Sequence, residues 1–150
     1  MKFLLTEELG RLARWLRLMG HDAASATARP LTELYCRAYR EGRTVLTRNR
    51  KIGASCLFRV VHVESPALKE QLTQVLRELS LSISFEQAFR RCDRCNVPVG
   101  QVDKSAIQGE VPPYVYETQD AFTRCPSCRR VYWAATHQRR ISAALEALRR

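Results

Sequence analysis

The stretch FLLTEELGRLARWLRLMGHD, Phe3 to Asp22, decides the fold. The apolar run that opens it stops at Thr6, which predicts a short buried strand over Lys2–Leu5. Over residues 7–19, apolar side chains recur at helical spacing, and Gly20 supplies a helix stop. A strand followed directly by an amphipathic helix is the first unit of an alternating α/β fold.

The same alternation continues to about residue 80. The pattern predicts further strands and helices in this order: strand Asp22–Ala26, helix Leu31–Glu41, strand Thr44–Leu46, short helix Ala54–Phe58, strand Val60–Val63 and helix Ala67–Leu79. Short apolar strands that alternate with helices imply a parallel sheet with helices on its faces. Ligands of such sheets bind beyond the carboxyl ends of the strands. We therefore predict an α/β domain over residues 1–90, with candidate site positions after its strands.

The junction Thr6-Glu7-Glu8 has two interpretations. It lies at a predicted strand end, so it is a candidate edge of an acidic site. Threonine is also a good helix N-cap, and glutamates suit the positive end of the helix dipole. The second interpretation explains all three residues without any chemistry.

Two CxxC pairs follow residue 90, at Cys92–Cys95 and Cys125–Cys128. Two such knuckles can place four thiolates around one tetrahedral zinc ion at about 2.3 Å. Four cysteines close the coordination shell, so the predicted zinc is structural. A redox pair is the alternative, and two CxxC sets at this spacing argue against it. His137 is a spare ligand, a nucleic-acid contact or, as we favour, a packing or surface residue.

The chain ends in HQRRISAALEALRR, which predicts a C-terminal helix with one apolar stripe. The second predicted domain therefore covers residues 91–150 and consists of a zinc ribbon with this helix.

The formal net charge is +10, from 25 Lys and Arg against 15 Asp and Glu. This balance favours an acidic partner, and RNA or DNA is the commonest one. An arginine-rich composition also follows from a GC-rich genome. Within the chain the candidate phosphate contacts are Arg11, Arg14, Arg17, Arg48, Arg50 and Lys51. Tyr132 and Trp133 are either ribbon core or platforms for stacking bases.

The sequence contains no apolar run long enough to span a membrane, and its start does not resemble a signal peptide. We therefore expect a cytoplasmic protein with no membrane partner. The sequence identifies no protein partner.

Five segments together resemble the RNase domain first named for the C-terminus of the Mut-seven exonuclease. These are KFLLTEELGRLARWLRLMGHD, EGRTVLTRNR, RCDRCN, the VPP at Val111–Pro113, and FTRCPSCRRVYWAATH. The resemblance spans nearly the whole chain and implies a PIN-like nuclease domain followed by a zinc ribbon. It also implies an RNA substrate and one or two Mg²⁺ or Mn²⁺ ions, held by carboxylates, that assist phosphodiester hydrolysis.

The chain departs from this family pattern at two positions. Family members typically carry Asp where this chain has Thr6 and Asn49, whereas Asp22 and Glu33 remain in place. The site that the resemblance implies therefore consists of Asp22, Glu33, Asn49 and Thr6. Neutral oxygens replace carboxylates poorly around a hard cation, so weakened metal binding and catalysis are expected.

Three functions follow. The first is a metal-dependent ribonuclease with weakened catalysis. The second is a catalytically inactive RNA-binding regulator or assembly factor, and the third is a zinc-ribbon module for protein interaction.

Overall fold

The computed structural model describes residues 1–82 and 87–133. The elements of the first part are β1 Lys2–Thr6, a 3₁₀ turn Glu7–Leu9, α1 Gly10–Leu18, β2 Asp22–Ala26, α2 Leu31–Glu41, β3 Thr44–Thr47, β4 Val60–His62 and α3 Leu68–Glu78. Those of the second part are β5 Gly100–Val102, a 3₁₀ turn Lys104–Ile107, α4 Pro113–Thr118, β6 Phe122–Arg124 and β7 Val131–Trp133. The predicted C-terminal helix and His137 lie outside the described residues.

The four strands of the first part form one parallel sheet in the order β2-β1-β3-β4. The expected α/β class, a parallel sheet with flanking helices, is confirmed. Because all four strands run in the same direction, their carboxyl ends share one edge of the sheet and their amino ends share the other.

Alternating side chains of β1, one of the two central strands, form two apolar layers. Phe3 and Leu5 pack in one cluster with residues of α1 and α3. Leu4 packs in another cluster with residues of α2, including Leu34. All four side chains are almost completely buried. This two-sided burial explains why β1 is continuously apolar rather than alternating.

The second part is built on a three-stranded antiparallel sheet, β5-β6-β7. One small cluster includes Ile107, Val115 and Phe122, and a second surrounds the CxxC cysteines.

The helix predicted over Ala54–Phe58 is wrong. Residues 54–58 form an irregular connection between β3 and β4, and Leu57 is exposed there. The segment presents no apolar stripe that a helix could bury against the sheet, so packing does not stabilise a helix. Within the described ranges, no helix is both long enough and apolar enough to cross a bilayer.

Candidate nucleic-acid interface and metal centre

Two buried threonines lie side by side at the carboxyl edge of the parallel sheet. Thr6 ends β1 and Thr47 ends the neighbouring strand β3. Their Oγ1 atoms are 2.8 Å apart, and the residues are 1% and 0% exposed. The edge at which ligands bind in such folds therefore presents two adjacent hydroxyl groups.

Glu8 contacts both threonines. The 3₁₀ turn that holds it follows β1 directly and is anchored by the buried Leu9. Glu8 Oε1 lies 2.5 Å from Thr6 Oγ1 and 3.2 Å from Thr47 Oγ1, and it accepts a 2.9 Å hydrogen bond from the Arg48 backbone amide. Thr6 makes no side-chain capping bond to the turn. Thr6 therefore occupies the N-cap position but does not cap the turn with its side chain, because its hydroxyl is directed to Glu8 and Thr47 instead.

The environment of Glu8 favours its ionised form. Partial burial raises the pKa of the carboxyl, but hydrogen bonds from Thr6, the Arg48 amide and Thr47 lower the pKa by more, so it lies below the ordinary value. The carboxylate is a good acceptor for these donors. From the sequence, Glu8 was either part of a candidate acidic edge or a charge at a helix start. The signal that identifies it is its position two residues after a strand that ends in a buried hydroxyl.

Asn49 is held in a local turn beside the two threonines. Its backbone amide donates a 3.0 Å hydrogen bond to Thr47 Oγ1, and its side-chain Oδ1 accepts a 3.0 Å bond from the Lys51 amide. The structure thus brings Thr6 and Asn49 to one edge of the sheet. The amide oxygen expected to act as a metal ligand is already hydrogen-bonded within the turn.

Asp22 lies at the opposite edge of the sheet. It pairs with Lys2 at the start of the β1–β2 register, whereas Thr6 pairs with Ala26 at the other end. Four residue steps along the strand separate these ends, which is about 13 Å. The structure therefore does not bring Asp22 together with Thr6 and Asn49.

The Asp22 carboxylate is held by two other partners. Arg43 approaches it at 2.7 and 3.2 Å, and Asn96 Nδ2 donates a 2.8 Å hydrogen bond to Oδ1. Burial raises the pKa of Asp22, but the bonds from Arg43 and Asn96 and the nearby positive charges hold it below its ordinary value. These contacts give Asp22 a structural role that explains it fully.

The carboxyl edge does not match the donor set of a two-metal site. Glu33 lies exposed in the first turn of α2. Among residues 1–82 and 87–133, the one set of three or more Cys, His, Asp or Glu whose ligand atoms lie close together is the four cysteines. Mg²⁺ and Mn²⁺ require several anionic oxygens at one point, and the edge has two hydroxyls with the Glu8 carboxylate. The catalytic metal site implied by the resemblance is therefore not formed by Thr6, Asp22, Glu33 and Asn49.

The four CxxC cysteines, in contrast, suit a tetrahedral metal ion such as zinc. Their Sγ atoms all lie within 4.8 Å of one another, and those of Cys92 and Cys128 are 3.7 Å apart. Zn–S bonds of about 2.3 Å in a tetrahedron place sulfurs about 3.8 Å apart. Backbone amides of Cys95 and Cys128 donate to Cys92 and Cys125 Sγ at 3.3 and 3.4 Å, as expected in knuckles that hold thiolates.

Asp93 connects this cysteine cluster to α1. Its Oδ2 accepts a 2.7 Å hydrogen bond from Arg14 Nε, and its Oδ1 accepts a 2.7 Å hydrogen bond from the Tyr132 hydroxyl. Tyr132 also donates to Cys92 Sγ at 3.1 Å and is 4% exposed, so it belongs to the core of the ribbon. Burial raises the pKa of Asp93, but the Tyr132 and Arg14 bonds lower it by more. Arg14 thus forms an ion pair across the two parts of the chain.

Arg17 also connects the two parts of the chain, and it is more deeply buried than Arg14. It is 8% exposed, and its guanidinium donates to the carbonyl oxygens of Ala23, Asp93 and Arg94 at 2.7, 3.1 and 3.0 Å. The phosphate contact predicted for Arg17 does not agree with this position, because burial and these acceptors engage the side chain.

The remaining predicted phosphate contacts are exposed. Arg48, Arg50 and Lys51 surround the carboxyl edge, and Arg11 lies on the exposed side of α1. Arg50 forms a 3.6 Å ion pair with Glu64, in which both side chains are largely exposed. Such a pair contributes little to stability, so a phosphate can readily replace Glu64 as the partner of Arg50.

The family model described as Mut7-C RNAse domain matches residues 1–145. Neither curated proteins nor solved structures yielded a similar protein.

Proposed function

The chain belongs to the Mut7-C RNAse domain family, and on that premise we propose that it binds RNA at the carboxyl edge of its parallel sheet. In this proposal, Arg48, Arg50 and Lys51 contact backbone phosphates, and metal-dependent hydrolysis is weak or absent. The observation that carries the proposal is the composition of the edge: the buried hydroxyls of Thr6 and Thr47 lie where a cluster of carboxylates would hold a metal.

A weakly active ribonuclease is the second candidate. Glu8 favours it, because this residue supplies one ionised carboxylate at the edge. One carboxylate can hold Mg²⁺ or Mn²⁺ through retained waters, but it offers less charge than a family site with several. We therefore place any hydrolysis below that of relatives with Asp at the positions of Thr6 and Asn49.

The second part of the chain supports this role structurally. We propose that Cys92, Cys95, Cys125 and Cys128 hold zinc with a closed coordination shell, which supplies folding energy and no catalysis. The division into domains at residues 1–90 and 91–150 and the cytoplasmic location remain part of this proposal.

Cleavage and binding assays test the proposal. Zinc-loaded protein is incubated with labelled single-stranded and structured RNA in Mn²⁺, in Mg²⁺ or without added divalent cation. We expect binding that weakens as salt rises under all three conditions, and little cleavage. The double variant Thr6→Asp with Asn49→Asp restores two carboxylates and should gain metal-dependent cleavage.

The matched control places two new carboxylates on exposed threonines elsewhere, as Thr73→Asp with Thr118→Asp. This control should remain as inactive as the wild type. Efficient metal-dependent cleavage by the wild type would replace the binding function with the ribonuclease function. Absence of both cleavage and salt-sensitive binding would leave the protein-interaction module.

A further inference from the structure

The contacts of Glu8 describe a site for an anionic oxygen. Three donors, the hydroxyls of Thr6 and Thr47 and the amide of Arg48, lie 2.5, 3.2 and 2.9 Å from one atom, Glu8 Oε1. A carboxylate oxygen and a phosphodiester oxygen are both negative acceptors of this size. Groups that converge on one of them also suit the other.

An anionic oxygen is the closest acceptor at this site, since Thr6 Oγ1 lies 2.5 Å from Glu8 Oε1 and 3.4 Å from the Leu46 carbonyl oxygen. Thr47 Oγ1 already accepts a bond from the Asn49 amide at 3.0 Å, and Thr6 Oγ1 lies 2.8 Å from it. If one hydroxyl donates to the other, a proton of the pair still remains for a third group. In the free protein that group is Glu8, the closest acceptor of Thr6.

The donors belong to buried strand ends and the backbone, whereas Glu8 is an exposed side chain. Thr6 and Thr47 are buried in the ends of the central strands, and the Arg48 amide belongs to the backbone that follows β3. Glu8 is an exposed residue of a short turn. Rotation of its side chain into water would uncover the two hydroxyls and the amide, and Leu9 would keep the turn anchored.

We propose that this group of donors binds a backbone phosphate of RNA without a metal ion, and that Glu8 occupies the position in the free protein as an internal competitor. The proposal rests on the RNA-binding function proposed above. Two negative groups cannot occupy the same position against these donors, so a phosphate enters as the Glu8 carboxylate leaves. The exposed Arg48, Arg50 and Lys51 supply positive charge around the entering phosphate.

Neutralisation of Glu8 tests this competition, and the chain offers a matched control in Glu7. Both glutamates are exposed residues of the same turn, so Glu8→Gln and Glu7→Gln change the net charge equally. We expect Glu8→Gln to tighten binding of a single-stranded RNA roughly tenfold, because a like charge is removed from the phosphate position. Glu7→Gln should tighten it much less. Adding Thr47→Val to Glu8→Gln should remove most of the gain.

Equal affinities for the two single variants would reduce the effect to net charge and overturn the proposal, as would weaker binding by Glu8→Gln. Failure of the wild type and of Glu8→Gln to bind any RNA would overturn the proposed function as well. The Arg48 amide resonance gives a second measurement on the wild type, independent of any variant. It should shift when RNA is added, and an unchanged resonance in a saturated complex would overturn the proposal.

Discussion

The Asp22 carboxylate is contacted from two distant parts of the chain. Arg43, which precedes β3, approaches both of its oxygens, and Asn96, which follows the first CxxC pair, donates to one of them. Arg43 also pairs with Glu41 and donates to the carbonyl oxygen of Phe3. Asp22 therefore neutralises a largely buried guanidinium while it connects the sheet to the cysteine cluster.

Replacing Asp22 by Asn should lower the free energy of unfolding by about 1–3 kcal/mol at pH 7, because the Arg43 guanidinium loses a charged partner. Chemical denaturation measures the change. Asp120→Asn is the matched control, because Asp120 is 96% exposed and its pair with Lys104 contributes at most about 1 kcal/mol. If Asp22→Asn abolished RNA cleavage and left stability unchanged, Asp22 would be catalytic rather than structural.

We also predict that the loss of stability in Asp22→Asn depends on pH. The pKa of Asp22 is lowered in the folded protein, so the stabilisation is complete above the unfolded-state pKa, whose reference value is 3.8. It is lost as pH falls through the lower folded-state pKa. The difference in stability between wild type and Asp22→Asn should therefore be constant near neutral pH and shrink below about pH 4.

Single residues also mark the limit of prediction from the sequence. The order of apolar residues was enough to place Thr6 and Thr47 at strand ends, because burial dictates that pattern. The direction of the Glu8 side chain was not predictable, because it depends on how tightly the chain turns after Thr6. In the 3₁₀ turn that follows Thr6, Glu8 lies over the strand ends and contacts Thr6 and Thr47.

At the scale of elements, α1 shows why spacing alone misplaces charged residues. Arg11, Arg14 and Arg17 recur every three residues, but a helix advances about 100° per residue, so each step moves the side chain back by about 60°. Over the three positions the side chains turn by about 120°. Arg11 is therefore exposed, Arg14 reaches the edge of the helix with its side chain 58% exposed, and Arg17 is buried.

This decrease in exposure from Arg11 to Arg17 predicts different effects for the same substitution at the two positions. Arg17→Met should lower the free energy of unfolding by about 3 kcal/mol, because three carbonyl oxygens lose a charged donor. Arg11→Met should change it by less than about 0.5 kcal/mol. In RNA titrations at several salt concentrations, Arg11→Met should reduce the salt slope by about one if Arg11 contacts a phosphate. A large loss of RNA affinity in a stable Arg17→Met protein would contradict the structural role of Arg17.

At the scale of the whole molecule, the cysteine cluster and the parallel sheet form one connected structure. Asp93 lies between two of the cysteines and binds Arg14 of α1, and Asn96 binds both Asp22 and the backbone amide of Ala23. The CxxC spacing predicted the cluster, because metal geometry restricts the sequence there. It could not predict these contacts, because Asp and Asn at such positions are equally compatible with solvent exposure.

Removal of the metal should therefore destabilise the sheet as well as the ribbon. We expect a strong chelator to lower the melting temperature of zinc-loaded protein by more than about 10 °C, with coincident transitions in far-ultraviolet and aromatic signals. Cys92→Ser should reproduce the effect, whereas Cys36→Ser should not, because Cys36 is exposed outside the cluster. A sheet transition that stays at the same temperature after chelation would support two independent domains at residues 1–90 and 91–150.

The contacts made by Asn96 and Arg17 also bear on solubility. β2 is an edge strand of the parallel sheet, and the amide and carbonyl of Ala23 are taken by Asn96 and Arg17. Arg37 takes the next carbonyl on that side, at Ser25. An open edge strand is a template on which another chain can add a strand and begin to aggregate. Asn96 and Arg17, which join the two parts of the molecule, therefore also cover part of this edge strand against self-association.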